Sequence, residues 1–285
     1  MPLTFPTTTQ KKPSAFTALP NQIKRPAFGS LYGFDAQGGG GAATSVTQQN
    51  NLINWWKMDE GAGSTAADSG SAAASASNFT LVNDSTWGDG SGKRPNGTDD
   101  YDLGSVALDG TGDYVTTSTF NLGLTDAFTI SVWVKSNYTS ATIYYFGYRI
   151  LIHYAVTVAD PGFIFGWHPS NDNTHMSIKV DSTVDTEYAT NTAISDVRLW
   201  ANYIFTWASG VGMKQYANGT LIDTSPDALT GNMANMTGDV LQMGIRQDYA
   251  PQTLFGELSD VRIYDMEFDS DDVDALYNSG DGDRG

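Results

Sequence analysis

Cysteine is absent from these 285 residues. That removes any disulfide framework and any thiolate metal site, and it suits a protein made in a reducing compartment. Histidine occurs only at His153, His168 and His175, with no i,i+4 pair and no clear nucleophile alongside, so zinc ligation and triad chemistry have little to build on. Glutamate is confined to Glu60, Glu187, Glu257 and Glu267. Basic residues number 15 against 32 acidic ones, a net charge of −17, which sets long-range repulsion against nucleic acid or an anionic membrane surface. No run approaches the roughly 20 apolar residues of a membrane span. The opening MPLTFPTTTQKKPSAF lacks the apolar region of a secretory signal.

What is present is the composition of a packed globular protein: 40% hydrophobic, 12% aromatic and 16% charged residues, enough for a real core. The charge is unevenly placed. Residues 1–50 hold Lys11, Lys12, Lys24 and Arg25 against the single acid Asp35, so the remainder carries −20. This segment also contains Pro2, Pro6, Pro13, Pro20, Pro26 and the run Gly38–Gly41, with no sustained period of 2 or 3.6. It reads as an extended basic arm with a flexible hinge, able to reach on the order of 165 Å when stretched. Residues 51–285 form the domain after it.

From residue 51, short apolar or alternating runs are separated by Gly, Asn, Asp and Ser, the pattern of strands and turns. In Ala127–Lys135, Phe128, Ile130, Val132 and Val134 share one face; Thr129, Ser131, Trp133 and Lys135 share the other, as in a half-buried strand. Further strands are expected at 52–58, 106–108, 114–117, 143–152, 163–167, 176–180, 200–207, 213–216, 220–223, 240–244 and 254–264. Asn218-Gly219 supplies the positive φ angles of a type I′ hairpin turn. Leu254 and Leu258 share one parity but Val261 and Ile263 the other, so a β-bulge is expected near Ser259-Asp260. The region 61–78 reads as a surface loop. One helix is expected, Ser270–Asn278, with Ser270 as N-cap, acids in its first turn and Val273, Leu276 and Tyr277 on its packing face. The expected fold is all-β: an antiparallel two-sheet sandwich with an extended N-terminal arm and one short C-terminal helix.

Asp109-Gly-Thr-Gly-Asp113 invites comparison with a metal loop. An EF-hand is excluded, because its sixth position would be Tyr114 and its twelfth Phe120. A tight turn, with Asp109 capping backbone N–H groups, accounts for the spacing. Trp133 is the best candidate for stacking on a sugar ring, against the alternative that a further layer covers it. Trp55 and Trp56 must point to opposite faces, one of them into the core.

Taken in order, several stretches resemble the laminin G-like domains of the concanavalin A-like lectin/glucanase superfamily, in the form found in phage and bacterial surface proteins. They are Asn54-Trp-Trp-Lys-Met-Asp-Glu-Gly-Ala-Gly63, Ala67-Asp-Ser-Gly70, Asn78–Asn83, Val106–Val115, Phe128–Lys135, Tyr216-Ala-Asn-Gly-Thr-Leu221 and Phe255–Tyr264. The resemblance covers roughly residues 51–280 and implies a jelly roll whose first and last strands lie side by side. It also implies binding of a glycan or protein surface and, in many members, a calcium ion near the sheet rim. Asp59, Asp109, Asp113 and Asp260 are the candidate ligands, although a position often acidic in the family is Ser259 here. The family's glucanases resemble Glu-x-Asp-x-x-Glu along one strand, and a retaining pair must lie about 5 Å apart. No such spacing occurs; Asp181-Ser-Thr-Val-Asp-Thr-Glu187 has the wrong order.

With no signal peptide and a long leading arm, the expected role is a non-enzymatic virion structural or decoration protein. The arm, through Lys11, Lys12, Lys24 and Arg25, would dock on capsid or tail proteins of a larger assembly, and the domain would stand at the virion surface. The alternative is a cell-surface glycan-binding adhesin module, with a glycan hydrolase behind both.

Overall fold

The computed structural model describes residues 46–70, 77–88, 104–118, 122–137, 149–154, 162–168, 173–181, 184–193, 199–225, 230–233, 240–245 and 253–277. The chain divides into units of residues 1–34 and 35–285, and every described residue lies in the second. The arm residues Lys11, Lys12, Lys24 and Arg25 fall outside the described residues.

The elements are α1 (Val46–Asn51), β1 (Leu52–Trp56), β2 (Thr65–Ala66), β3 (Phe79–Val82), β4 (Thr86–Trp87), β5 (Val106–Asp109), β6 (Tyr114–Thr116) and β7 (Ala127–Ser136). Next come β8 (Arg149–Tyr154), β9 (Gly162–His168), β10 (Asn173–Asp181), β11 (Val184–Ala193), β12 (Ala201–Ala208), β13 (Gly212–Ala217), β14 (Thr220–Thr224), β15 (Leu241–Met243), β16 (Phe255–Tyr264) and α2 (Ser270–Tyr277). They form two antiparallel sheets. The first runs β14-β13-β12-β7-β16-β5-β4, with β1 also on β16; the second runs β11-β10-β9-β8-β15-β6-β3-β2. The first and last strands are paired, Trp55 opposite Arg262, as the family resemblance implied.

The core between the sheets is made by the alternation read from sequence. Phe128 lies 5.8 Å from Trp207 within the first sheet and 5.3 Å from Phe163 of the second, and Phe165 stacks on Phe205 at 4.5 Å. Offset and tilted aromatic contacts of this kind add about 0.5–1.5 kcal/mol each beyond area burial. The bulge falls where the parity slipped, between Ser259 and Arg262, with Asp260 at φ +48°. It lets Leu258 and Val261 both face the core. Asn218 and Gly219 have φ of +51° and +77° between paired Ala217 and Thr220, the type I′ hairpin.

Several expectations are corrected. β7 is buried on both faces except near its ends, because the C-terminal segment covers the face that carries Thr129, Ser131 and Trp133. The N-cap of α2 is Asp269 rather than Ser270: its Oδ1 accepts from the N–H groups of Asp271 and Asp272, and Asp272 Oδ2 accepts from the Asp269 N–H. That is a reciprocal capping box. α1 and β11 had no clear periodic signal.

The stretch 61–70 is not simply a loop, since β2 joins the second sheet and Ala66 is in the core. Asp68 ties this stretch to β1 by accepting from Asn54 Nδ2, Trp55 N, Gly70 N and Ser77 N at 2.5–3.1 Å. A Cβ on Gly70 would lie 2.1 Å from the Ile53 carbonyl oxygen, so glycine is required for that close approach.

Candidate functional site

Each sheet has an outer face, and the two differ. On the first sheet, the outer row of β7 and β12 is roofed by residues 265–277. Thr129 ties the roof down: its hydroxyl donates to the Met266 carbonyl and accepts from the Phe268 N–H, at 2.8 and 3.0 Å. Phe268, Val273 and Leu276 then pack on Ile204, Tyr216 and Tyr264 as a second, smaller core. Lys214 pairs with Glu267 at 2.6 Å. That hydrogen-bonded carboxylate holds the lysine above its ordinary range, against the opposing effect of burial.

Trp133 lies under this roof, 2% exposed, with Tyr277 stacked at 6.1 Å between ring centroids. Burial pushes the Tyr277 phenol up. A sugar ring needs an open aromatic face, so the expectation of Trp133 as a ligand-stacking residue is corrected: its stacking partner is the chain's own closing helix.

Beside the roof, Trp55 and Asp260, 205 residues apart, meet. Trp55 Nε1 donates to Asp260 Oδ1 at 2.7 Å, and Arg262 donates to the same carboxylate from Nε (2.9 Å) and Nη2 (3.3 Å). Asp260 is 3% and Arg262 1% exposed. The Arg262 guanidinium lies 4.2 Å from the Trp55 ring centroid, and Lys57 Nζ 4.3 Å from it. The tryptophan pair therefore divides as expected by direction, but both are buried: Trp56 in the core, Trp55 as the platform of a buried ion pair.

These partners decide how the four candidate calcium ligands stand. The register sets Asp109 opposite Phe255, five residues along β16 from Asp260, about 17 Å at ~3.3 Å per residue. The Asp113 carboxylate, buried, accepts from the Asp84 and Asp109 N–H groups, both at 3.0 Å. Asp109 Oδ1 accepts from the Thr111 N–H at 2.6 Å, with Gly110 and Gly112 at positive φ, the tight turn that the spacing indicated. Asp59 is exposed. Among the described residues, no three or more His, Asp or Glu side chains gather as metal ligands. Calcium takes six to eight oxygens, and three of the four carboxylates here, Asp109, Asp113 and Asp260, are committed to structural hydrogen bonds, so the set does not fit a shared ion.

The outer face of the second sheet has a different character. Register aligns Thr65 with Thr80, Thr80 with Thr116, and Thr116 with Gln242 across β2, β3, β6 and β15. Their chain neighbours Ala66, Phe79, Leu81, Val115, Leu241 and Met243 are in the core, so the row stands on the opposite face. Thr65 and Thr80 are exposed, Thr116 is half-buried, and Gln242 is 5% exposed. Sequence reading missed this row, because four polar residues on four short strands form no local motif.

His168 ends β9, opposite Asn173, whereas His175 lies two residues inside β10, opposite Gly166, so only His168 flanks the connection directly. Among the described residues no helix is long and apolar enough to cross a membrane.

Comparison with known proteins agrees with this architecture. A family model for the concanavalin A-like lectin/glucanases superfamily matches residues 109–274, and no curated protein matches the chain. The binding domain of Paraclostridial Mosquitocidal Protein 1 superposes with a TM-score of 0.62 at 15% identity, over 81% of this chain and 53% of that one. A structure of botulinum neurotoxin type C, described as dependent on two ganglioside molecules for cell entry, gives 0.59 at 16% identity, over 81% and 52%. Domain 4 of AbnA, a GH43 extracellular arabinanase from Geobacillus stearothermophilus, in complex with arabinotriose, gives 0.54 at 17% identity, over 78% and 96%. This chain thus spans about half the length of the toxin structures and nearly all of the arabinanase domain.

Proposed function

The chain belongs to the concanavalin A-like lectin/glucanase superfamily, and from that premise we propose that its sandwich is a non-enzymatic glycan-recognition domain of a virion structural or decoration protein. The arm, residues 1–50, holds it on capsid or tail, and the domain stands at the virion surface.

The observation that carries the recognition reading is the contrast between the two outer faces. One is closed by the chain's own C-terminal segment, while the other carries a row of neutral hydrogen-bonding side chains. A hydroxyl-rich ligand suits such a row, because threonine hydroxyls both donate and accept. The ganglioside and arabinotriose named for the structural neighbours are ligands of that chemical kind. A non-enzymatic role is supported by the lack of a Glu-x-Asp-x-x-Glu spacing anywhere in the chain.

The anchoring reading rests on the basic arm, +3 on a body of −20, and on where it joins the domain. The Asn51 carbonyl, at the end of α1, accepts from the Asp265 N–H at 3.0 Å, so the root of the arm lies beside the roof, at the start of the covering segment. Removing residues 1–45 leaves every described element in place. The shortened chain is expected to fold and retain glycan but no longer to join particles, as followed by micrographs and particle sedimentation. Unchanged incorporation rejects the anchor. Saturable glycan retention by a chain that never associates with particles favours the adhesin module instead.

A further inference from the structure

Within the glycan-recognition reading, on which this inference rests, one side chain marks where a sugar hydroxyl would bond. Gln242 Oε1 is buried and accepts no hydrogen bond. A buried acceptor of this kind carries a desolvation penalty that a donor would relieve. The residue is 5% exposed, at the inner end of a row whose other members become steadily more open: Thr116 half-buried, then Thr80 and Thr65 exposed. Thr116 Oγ1 donates to the Thr117 carbonyl at 3.2 Å, which leaves its lone pairs as acceptors. The two inter-strand steps of ~4.8 Å from Thr80 to Gln242 span about 10 Å, the reach of a short oligosaccharide rather than of a single ring.

We propose that Thr80, Thr116 and Gln242 form the binding row for a neutral oligosaccharide, with a sugar hydroxyl donating to Gln242 Oε1. Charge selects the neutral class. None of Thr65, Thr80, Thr116 and Gln242 carries a charge to pair with a carboxylated sugar, and the chain's net charge of −17 repels one. Small polar sites of this kind fix a ligand through a few well-placed groups.

The test uses the full chain on an array of neutral and sialylated oligosaccharides that includes arabinotriose, with each variant's melting temperature measured alongside. Wild type is expected to retain neutral glycans. Gln242→Leu should lose at least tenfold in binding while its melting temperature stays level or rises, since the substitution removes a buried acceptor without a donor. Thr80→Val, at an exposed position, should lose several-fold with no change in melting temperature. A merely structural glutamine would give the reverse: lower stability with binding intact. Gln242→Leu and Thr80→Val variants that bind like wild type overturn the row while leaving glycan recognition standing, as does retention of sialylated glycans alone. If wild type retains no glycan at all, the recognition reading fails and the row with it.

Discussion

One outer face of the sandwich is covered by the chain's own C-terminal segment, whereas the other leaves part of a polar row open to solvent. On the first sheet, Thr129 is bonded to the 266–268 backbone, Lys214 to Glu267 and, beside the roof, Asp260 to Trp55 and Arg262, while Asn202 Oδ1 and Thr206 Oγ1 on the outer row of β12 are buried without a partner. On the second, Thr65 and Thr80 face solvent and Gln242 buries an acceptor that has no donor. Burial of polar groups is tolerated where hydrogen bonds replace water, so the first face is built for stability. Gln242 Oε1 is one of several buried polar atoms without a partner among the described residues, and what sets it apart is its place beside the exposed threonines of an open polar row.

That contrast can be broken from either side. The largest effect is expected from Arg262→Met. Taking the guanidinium from a carboxylate that is 3% exposed should cost about 3–5 kcal/mol in urea or thermal unfolding, without selectively weakening glycan retention. Trp133→Ala should cost a similar ~3–5 kcal/mol, because it opens a cavity under α2; if it abolished glycan binding in a still-folded protein, the roofed face would be the functional one.

Gly219→Ala tests the roof more gently. Gly219 has φ +77°, and an added Cβ would lie 2.7 Å from the Tyr277 ring, so a loss somewhat above ~1 kcal/mol is expected. Lys214→Met should cost no more than about 1 kcal/mol, since the pair is partly exposed. The sign with pH comes from the direction of the shift. Lys214 is held above its ordinary value of 10.5 by Glu267, so the pair's contribution is present at neutral pH and is lost as pH rises through the folded-state value. The wild-type advantage over Lys214→Met should therefore shrink only in strong alkali. Smallest of all, exchanging calcium for chelator should leave the melting temperature within about a degree, because the four candidate carboxylates share no site; a larger rise with calcium would show an ion bound elsewhere.

Much of the first sheet was legible residue by residue. The alternation in Ala127–Lys135 identified β7 and its core face, the parity slip located the bulge at Ser259–Arg262, and Asn218-Gly219 identified the hairpin. The turn at Asp109 was equally plain, since its partner Thr111 is two residues away. What could not be read was which surface each second face meets. Trp133 has the same parity whether it meets sugar or Tyr277, and those two aromatics are 144 residues apart in sequence. The Thr65–Thr80–Thr116–Gln242 row draws on four separate strands, so no window along the chain contains it.

The sequence by itself determined the periods, the turns, the bulge and the family to which they belong, because each depends on the φ preferences and side-chain parity of neighbouring residues. Only the tertiary structure decided that Asp260 pairs with Arg262 and Trp55 rather than sharing a metal site with Asp109, that Trp133 is roofed, and that Gln242 is buried. Those outcomes depend on which distant segments exclude water from a given face, and parity specifies the face without specifying what covers it.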